Sequence, residues 1–368
     1  MKKLLTIILS LTTAAAMLSG CSSSSASTTA AETTAATAGS VSETTVEASE
    51  ESTAEDTTTE ETTVEETSIS QDTSVDISIY AMKGPTGMGM AYLNQQSDEG
   101  NTAYKYDINY ASAADEITGS LIAGDIDIAA VPVNLASVLY NKTEGQILTC
   151  ALDTLGVLYI VTNGVEINSV ADLAGKKIVT SGQGSTPEYI INYILEKNGI
   201  ADQVEVEYVS EHAEALTQMA AGNADIIMVP EPFVTNALVK VEGAEVALNL
   251  TEEWSKVSDT ELVQGVIIVQ KQFAEEHAEV LDTFLEEYAE SVDFTNENPA
   301  DAASIIESYE IVASAAIAEK AIPNCNIVCV TGQEMKDSMN AMLQVLADAN
   351  PQSVGGSVPG DDMYYMAK

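Results

Sequence analysis

The sequence predicts an α/β fold of two similar lobes, because one strand-and-loop pattern occurs twice in the chain. The first copy runs from Ile79 through a loop reading KGPTG to the segment 123–132, which reads AGDIDIAAVP. The second runs from Ile178 through a loop reading GQGSTP to the segment 221–230, which reads AGNADIIMVP. Each loop opens a helix, where free backbone N–H groups and the helix dipole can face a ligand. A cleft between the two lobes would expose both loops.

The N-terminus is typical of an export signal. Two lysines precede the apolar run 4–11, which is too short for an ordinary membrane span, and small residues lead to a site that ends at Cys21. This ending resembles a bacterial lipobox, in which Cys21 would carry a lipid and become the first mature residue. The alternative is an ordinary signal peptide with a chance cysteine. We therefore expect residues 1–21 to be a lipoprotein signal and the protein to be extracytoplasmic, lipid-anchored to the cell membrane.

Residues 22–74 consist almost entirely of Ser, Thr, Ala and Glu, with twelve acidic residues and no basic ones. Such a segment cannot bury enough apolar surface to offset the entropy lost on ordering. We expect a disordered tether that holds the following domain away from the membrane, although a merely tolerated spacer would look the same. The remaining segment, 75–368, is long enough for one large or two medium domains.

The folded part is strongly acidic. The chain has 57 acidic residues against 14 lysines and no arginine, and 45 acids and 12 lysines follow residue 74. A surface this acidic repels phosphate backbones, so nucleic acid is not an expected partner. Solubility outside the cell explains the charge without any specific role.

Strands alternate with helices in the first lobe, which predicts parallel strand pairing. Period-two alternation marks the strands, and Gly124 and Pro132 end a helix and a strand. The predicted elements are a strand over 76–81, a helical pattern through Leu93, a strand over 106–110, a helix over 113–123 and a strand over 126–131.

The second lobe repeats this order, after which the pattern changes. Its predicted elements are a strand after Lys177, a helix towards Lys197, a strand over 204–209, a helix over 213–221 and a strand over 225–229. A strand from Gly265 and helices over 275–291, 299–308 and 332–349 follow. Divergent duplication and convergence on one pattern would explain the repeat equally.

The strand at Gly265 decides how the lobes are connected. If it re-enters the first sheet, the chain crosses between the lobes twice, near 159–164 and near 261–265. Two crossings make a hinge. The predicted first lobe is then 75–163 with 265–368, and the predicted second lobe is 164–264.

At this point the residues resemble a known family. The lipobox, the repeated AGxxDIxxVP pattern, the segment DLAGKKI from Asp172 and the segment PEPF at 230–233 look like solute-binding lipoproteins of ABC importers. Among type II periplasmic binding proteins, the resemblance is to the nitrate, sulfonate and thiamine-precursor group (SsuA/THI5, NMT1-like), and it covers nearly all of 76–368.

The resemblance implies a clamshell that captures a small-molecule solute, either pyrimidine-like or sulfonate- or nitrate-like. It also implies an ABC permease and its ATPase as partners. A surface receptor or sensor with the same clamshell is the alternative, and permease and ATPase genes alongside would discriminate the two.

Eight residues are candidates for ligand contact. Thr86, Ser185 and Thr186 can offer hydroxyls beside free N–H groups at helix starts, or they can simply cap those helices. Glu231 lies between two prolines at a strand's carboxyl end, where open α/β sheets bind ligands. The other candidates are Lys83, the only lysine in either loop, Asn134, which follows the equivalent proline of the first lobe, and Tyr189 and Phe233, which would supply apolar walls unless they pack in the core.

No catalytic or metal centre and no cofactor is predicted, and an enzyme is the runner-up class. His212 and His277 lie among acidic residues on helical stretches, which is typical of solvated surface histidines. Together with Cys150, Cys325 and Cys329 they do not supply a zinc site, and neither loop carries a nucleotide-binding fingerprint. Buried thiols are favoured over a bridge between Cys325 and Cys329, because that bridge would need a local turn.

The absence of arginine bears on the ligand, because sulfonate and carboxylate clamps often rely on bidentate guanidinium groups. An anion would have to be held mainly by the two helix N-termini. Glu231 would repel an anion and accept hydrogen bonds from an N–H-bearing ring or amine. We therefore expect a small, neutral or zwitterionic nitrogen-containing solute in preference to a simple inorganic anion.

Overall fold

Two mixed β-sheets with helices packed on their faces form the part of the chain that the structure describes. The computed structural model describes residues 70–112 and 114–366. The predicted signal peptide, Cys21 and most of the predicted tether lie outside these residues. Among the described helices, none is long and apolar enough to cross a membrane.

The described residues form eleven strands and thirteen α-helices. In chain order the strands are β1 (Asp72–Met82), β2 (Tyr104–Ala111), β3 (Ile128–Pro132), β4 (Ile147–Leu155), β5 (Leu158–Asn163), β6 (Lys177–Thr180), β7 (Glu205–Tyr208), β8 (Ile226–Pro230), β9 (Ala244–Asn249), β10 (Val263–Gln270) and β11 (Ile327–Val330). The helices are α1 (Pro85–Met88), α2 (Ala91–Glu99), α3 (Ala114–Ala123), α4 (Val133–Lys142), α5 (Thr186–Lys197), α6 (His212–Ala220), α7 (Phe233–Lys240), α8 (Leu250–Ser255), α9 (Lys271–Glu276), α10 (Ala278–Glu297), α11 (Pro299–Ser308), α12 (Ala315–Ala321) and α13 (Gly332–Ala349).

Strand β1 begins before the predicted end of the tether. Residues 72–74, expected in the tether, belong to the first sheet. The backbone N–H of Asp72 donates to the carbonyl of Ala103 at 2.8 Å, and the side chain of Gln71 donates to Thr102 Oγ1 at 2.8 Å. These bonds anchor a segment whose composition alone is that of a linker.

The first sheet has the strand order β11-β4-β10-β3-β1-β2, and the second has the order β7-β6-β8-β5-β9. Both contain the predicted repeat, since β2-β1-β3 and β7-β6-β8 are parallel triplets with the same topology. Helices join the strands of each triplet, as parallel pairing requires. The other strands depart from the parallel prediction: β10 runs antiparallel to β3 and β4, and β5 runs antiparallel to β8 and β9.

The chain passes between the sheets twice. Strand β4 ends in the first sheet at Leu155 and β5 starts in the second at Leu158, so the first crossing falls at Gly156 and Val157. The predicted crossing at 159–164 is wrong, since nearly all of these residues lie within β5 of the second sheet. The sequence did not indicate this, because β5 is largely buried and mostly apolar and would suit either sheet equally. The second crossing follows α8 and precedes β10, close to the predicted position. Below, the first lobe means 72–155 with 263–366, and the second lobe means 158–255.

Glycine is required near each crossing by close packing. A Cβ atom on Gly156 would lie 2.1 Å from Thr251 Oγ1, and a Cβ atom on Gly265 would lie 2.2 Å from Asp153 Oδ1. Both distances are far below van der Waals contact, so a side chain at either position would force Thr251 or Asp153 out of its packed position.

One hydrophobic core extends through both lobes. It joins helices α4 and α13 of the first lobe to helix α5 of the second, and its buried members include Leu139, Met342, Ile191 and Ile194. Helix α5 contacts α13 directly. We call this apolar junction of α4, α13 and α5 the interlobe seam. Two further clusters of buried residues belong to one lobe each.

The three cysteines in the described residues are free thiols. Cys150 and Cys325 are buried, and Cys329 is partly exposed. The prediction of buried thiols therefore holds for Cys325, and no bridge joins it to Cys329.

Asp153 is a fully buried carboxyl on β4, behind the cleft between the lobes. Within the part of the chain that the structure describes, neither of its oxygens has a hydrogen-bond partner. Burial raises the pKa of this carboxyl to about 7, whereas an unfolded Asp titrates near 3.9. Between these two values the folded protein holds a proton that the unfolded chain releases. The contribution of the protonated Asp153 to the free energy of unfolding is therefore fully present below about pH 4 and is lost as the pH rises towards 7.

We expect Asp153→Asn to raise the free energy of unfolding at pH 8 by roughly 4 kcal/mol and to leave it nearly unchanged at pH 4. The amide resembles the protonated carboxyl and does not ionise. Urea unfolding at both pH values measures this difference. Asp125→Asn, at an exposed site, is the matched control and should give no such dependence. An equal effect of Asp153→Asn at both pH values would contradict the assignment.

Candidate ligand-binding cleft

A cleft of about 1050 Å³ lies between the two lobes. Its walls are the loops that follow β1, β3, β6, β7 and β8, together with the first crossing and the start of β10. All five of these strands belong to the parallel triplets, and the carboxyl ends of parallel strands face ligands in open α/β sheets. Of the eight predicted ligand residues, six line this cleft: Lys83, Thr86, Ser185, Thr186, Glu231 and Phe233.

The first lobe contributes the loop between β1 and α1. The backbone N–H of Lys83 donates to the carbonyl of Ala111 at 2.9 Å, which fixes the start of the loop to β2. The Lys83 side chain is exposed at the edge of the cleft, and Thr86 is half-buried within it. These two residues therefore present an amine and a hydroxyl from one side.

The second lobe contributes the loop between β6 and α5. Gly182 and Gly184 have φ angles of 84° and 75°, a region that other residues rarely adopt. Ser185 is the N-cap residue of α5, yet its side chain makes no capping hydrogen bond. Its hydroxyl is therefore available to the cleft.

Asn134 and Thr186 contact each other across the lobes. The Thr186 hydroxyl donates to Asn134 Oδ1 at 2.9 Å, and Asn134 Nδ2 lies 3.4 Å from the carbonyl oxygen of Gly184. Both side chains are buried, and Asn134 does not line the cleft. The Thr186 hydroxyl and the Asn134 amide, which were predicted to contact the ligand, instead bond α4 to the start of α5.

Glu231 stabilises a helix from inside the cleft wall. One carboxylate oxygen accepts a hydrogen bond from the backbone N–H of Thr235 and the other from its hydroxyl, both at 3.0 Å. Burial raises the pKa of Glu231, and the two bonds from Thr235 oppose this rise. Glu231 therefore caps α7, the helix that begins at the next residue but one.

The two predicted apolar walls occupy different places. Phe233 lines the cleft and is half-buried. Tyr189 packs against the core that extends through both lobes and does not line the cleft.

His212 lines the cleft, contrary to the prediction of a solvated surface histidine. Its Nδ1 lies 2.7 Å from Ser181 Oγ, and its ring centroid lies 5.4 Å from that of Phe233. Burial lowers the pKa of this imidazole to about 4, so it is neutral at neutral pH. The sequence signal that could have placed His212 in the cleft is its position just after β7, because residues after the carboxyl ends of parallel strands face ligands.

Four residues that line the cleft each have a buried polar atom with no hydrogen-bond partner among the described residues. Thr154 Oγ1 and Gln264 Nε2 come from the first lobe, and Tyr208 OH and Asn236 Oδ1 come from the second. The sequence analysis missed all four. Buried polar groups are normally paired, so this set fits a site that a ligand completes by bonding to both lobes.

Comparison with known proteins supports this architecture. The NMT1/THI5 like family model matches residues 108–302, more than half of the chain. No curated protein matches the sequence at a significant level.

Solved structures share the fold at low sequence identity. An ABC transporter from Parabacteroides distasonis has a TM-score of 0.68 and 21% identity, over 80% of this chain and 99% of that one. The periplasmic aliphatic sulphonate binding protein SsuA from Escherichia coli has a TM-score of 0.64 and 16% identity, over 80% and 92%. The alkanesulfonate-binding protein SsuA from Xanthomonas axonopodis pv. citri, bound to MOPS, has a TM-score of 0.60 and 15% identity, over 78% and 96%. With two sheets, two crossings and a cleft at the carboxyl ends of its parallel strands, this chain belongs to the NMT1/THI5-like family and has the fold of periplasmic binding proteins.

Proposed function

We propose that this protein binds one small solute between its lobes, outside the cytoplasm, and delivers it to the permease and ATPase of an ABC importer. The observation that carries the proposal is the set of four unpartnered polar atoms, two from each lobe, in one cleft. Leaving such a group unpaired costs roughly 1–3 kcal/mol. A solute that bonds to both pairs offsets this cost only while the lobes are close together, so it favours the closed form.

Membership of the NMT1/THI5-like family supports the transport role. Within the cleft we assign solute contact to Lys83, Thr86, Ser185 and Phe233, in addition to the four unpartnered groups. Both solute classes implied by the sequence, pyrimidine-like compounds and sulfonates or nitrate, are small enough for a cleft of about 1050 Å³.

Anchoring at the membrane is part of the proposal. Cys21 would carry the lipid, and the acidic segment that follows would hold the solute-binding lobes away from the membrane surface. Both features rest on the sequence pattern, because the residues before 70 are not described by the structure.

The Ser181–His212 pair favours a second candidate, an enzyme with a serine nucleophile. A serine oxygen 2.7 Å from an imidazole nitrogen has the spacing of a nucleophile and its base. Against this, a pKa of about 4 makes His212 a weak base at neutral pH. Turnover of a bound solute that disappears in Ser181→Ala would favour the enzyme. A receptor or sensor would bind the solute without supporting its uptake by cells.

A thermal-shift screen tests solute binding directly, because a ligand that binds only the folded state stabilises it by mass action. Aminopyrimidines, alkanesulfonates, nitrate and amino-acid-like solutes cover the classes that the sequence implies. A solute that raises the melting temperature in a saturable way supports the proposal, and uptake that depends on this protein supports delivery. Failure of every solute class would contradict it.

We expect Tyr208→Phe to leave the ligand-free protein as stable as before, or up to about 1 kcal/mol more stable, because the lost hydroxyl has no partner. The same change should weaken binding of the solute found in the screen. Tyr106→Phe is the matched control, since its hydroxyl donates to Glu287 and its loss should destabilise the fold without affecting the cleft. Chemical unfolding and calorimetry measure the two effects. Undiminished solute affinity in Tyr208→Phe would contradict its assigned role.

We expect saturating solute to shorten the distance between the lobes. Lys142 at the end of α4 and Lys240 at the end of α7 are exposed and lie on opposite lobes. Spin labels on Lys142→Cys and Lys240→Cys, in a Cys329→Ala background, report this distance by pulsed electron resonance. A label pair within the first lobe, on Lys142→Cys and Glu297→Cys, should give an unchanged distance. No change in the interlobe pair would indicate a rigid receptor.

We expect Cys21→Ala to leave the protein uncleaved or released into the medium, with unchanged solute affinity. The lipid would have no other acceptor within the signal. Fractionation of cells followed by mass spectrometry measures the outcome. Recovery of a lipid-modified variant in the membrane fraction would refute the assignment of Cys21.

A further inference from the structure

We propose that the cleft selects a solute carrying a positive charge and N–H donors, and that it rejects anions. This inference rests on the proposed solute-binding function and adds the charge class of the solute. It comes from the way in which the helix N-termini at the cleft are occupied, from the charges along its walls and from its unpartnered polar atoms.

Three helices of the second lobe begin at the cleft, and each already holds a carboxylate of its own chain. Glu231 accepts from the backbone N–H of Thr235 in the first turn of α7. Glu214 accepts from the backbone N–H of Ser210 just before α6, at 3.1 Å. Glu188 accepts from the backbone N–H of Gly184 just before α5. Helix N-termini are the common anion sites of α/β folds. Here Glu231 accepts from an N–H group of the first turn of α7, and Glu214 and Glu188 place carboxylates just before α6 and α5, where they would repel an anion.

The walls of the cleft carry an excess of negative charge. Among the described lining residues the only base besides the neutral His212 is Lys83, which is exposed at the edge. The acidic lining residues are Asp115, Glu207, Glu211, Glu214 and Glu231. Glu207 is paired with Lys177 at 2.7 Å, outside the cleft, but Asp115 and Glu211 have no ion-pair partner among the described residues. An anion would therefore enter a negative field, and within about 8 Å salt does not screen that field fully.

Three of the four unpartnered atoms can accept a hydrogen bond from a cationic solute with N–H donors, whereas Gln264 Nε2 can only donate to an acceptor atom on it. Asn236 Oδ1 and Thr154 Oγ1 lie in the cleft wall and can accept hydrogen bonds from N–H groups, and Thr154 is 2% exposed. The aromatic rings of Phe233 and Tyr208 line the same cleft, and aromatic faces attract cations. A solute with a charged, N–H-rich group thus finds acceptors, carboxylates and aromatic faces together.

Matched triplets of probes test this charge preference. Benzamidine, benzamide and benzoate have nearly the same size and shape but are cationic, neutral and anionic at pH 7. Butylamine, butanol and butanesulfonate form an aliphatic triplet. Melting temperature and calorimetry on the full chain at low and at physiological salt measure binding of each probe.

We expect the cation of at least one triplet to bind about tenfold or more tighter than its neutral partner, with no measurable binding of the anion. The advantage should fall as salt increases, because part of it is an exposed charge interaction. Equal binding within the triplets, or tighter binding of the anions, overturns the inference and leaves the proposed function intact. If no probe of either triplet binds, the inference is overturned, and the broader solute screen decides separately whether the proposed function fails too.

A charge-removal variant tests the cause. Glu188→Gln, Glu214→Gln and Glu231→Gln together keep an acceptor oxygen at each helix start and remove three negative charges, so the preference for the cation should fall about tenfold. The matched control replaces Glu286, Glu290 and Glu297, which are exposed along α10 and lie outside the cleft, and should keep the preference. If the triple cleft variant does not fold, Glu214→Gln alone, at an exposed site, should reduce the preference in the same direction. An unchanged preference in the folded cleft variant overturns the inference.

Discussion

The cleft depends on two glycines, at or near the places where the chain passes between the sheets, whose backbones pack tightly against neighbouring side chains. Gly156 and Gly265 leave no space for a Cβ atom, because Thr251 and Asp153 fill it. Gly156 lets the first crossing pack against α8 of the second lobe, and Gly265 lets β10 lie close to β4 within the first sheet. The carboxyl ends of both parallel triplets line the cleft beside the first crossing. The groups assigned to the solute lie at the ends of these strands, in the loops or the helix that follow them, or in β4 and β10 next to the crossings.

The same carboxylates shape the local structure and the chemistry of the cleft. Glu231 accepts from an N–H group in the first turn of α7, which needs an acceptor there. Glu214 and Glu188 accept from the N–H groups of Ser210 and Gly184, just before α6 and α5. Glu231 and Glu214 also line the cleft and add to the negative charge of its wall. If the cleft selects cations as we propose, the stability of the helix starts and the selectivity for the solute are two effects of one set of residues.

The repeated pattern predicted most of the fold. Both parallel triplets, their crossover helices and the positions of Pro132 and Pro230 at strand ends follow from hydrophobic periodicity and turn residues. The sheet that β5 joins could not be predicted, because a largely buried, mostly apolar strand has the same pattern in either sheet. The start of β1 was also missed, since the polar residues 72–74 are held by bonds to a distant strand.

The cleft was predicted less completely than the fold. Residues within the glycine-rich loops and beside the prolines were found from their place after strands. Thr154 and Gln264 were missed because they come from β4 and β10, whose place beside the cleft depends on the crossings. His212 looked like a surface residue because its neighbours along the helix are acidic, and only the tertiary contact with Ser181 and Phe233 shows its burial.

The interlobe seam limits how the two lobes can move. Helices α4, α13 and α5 share one buried apolar core on one side of the cleft, so opening on that side would expose it to water, whereas opening at the opposite mouth would not. The lobes should therefore rotate about the seam through a small angle. A small rotation about the seam keeps the free-energy difference between the open and closed forms small, so closing the lobes reduces the binding free energy of the solute only slightly. Affinity would then be set mainly by the dissociation rate of the solute, and so by how long the cleft stays closed around it.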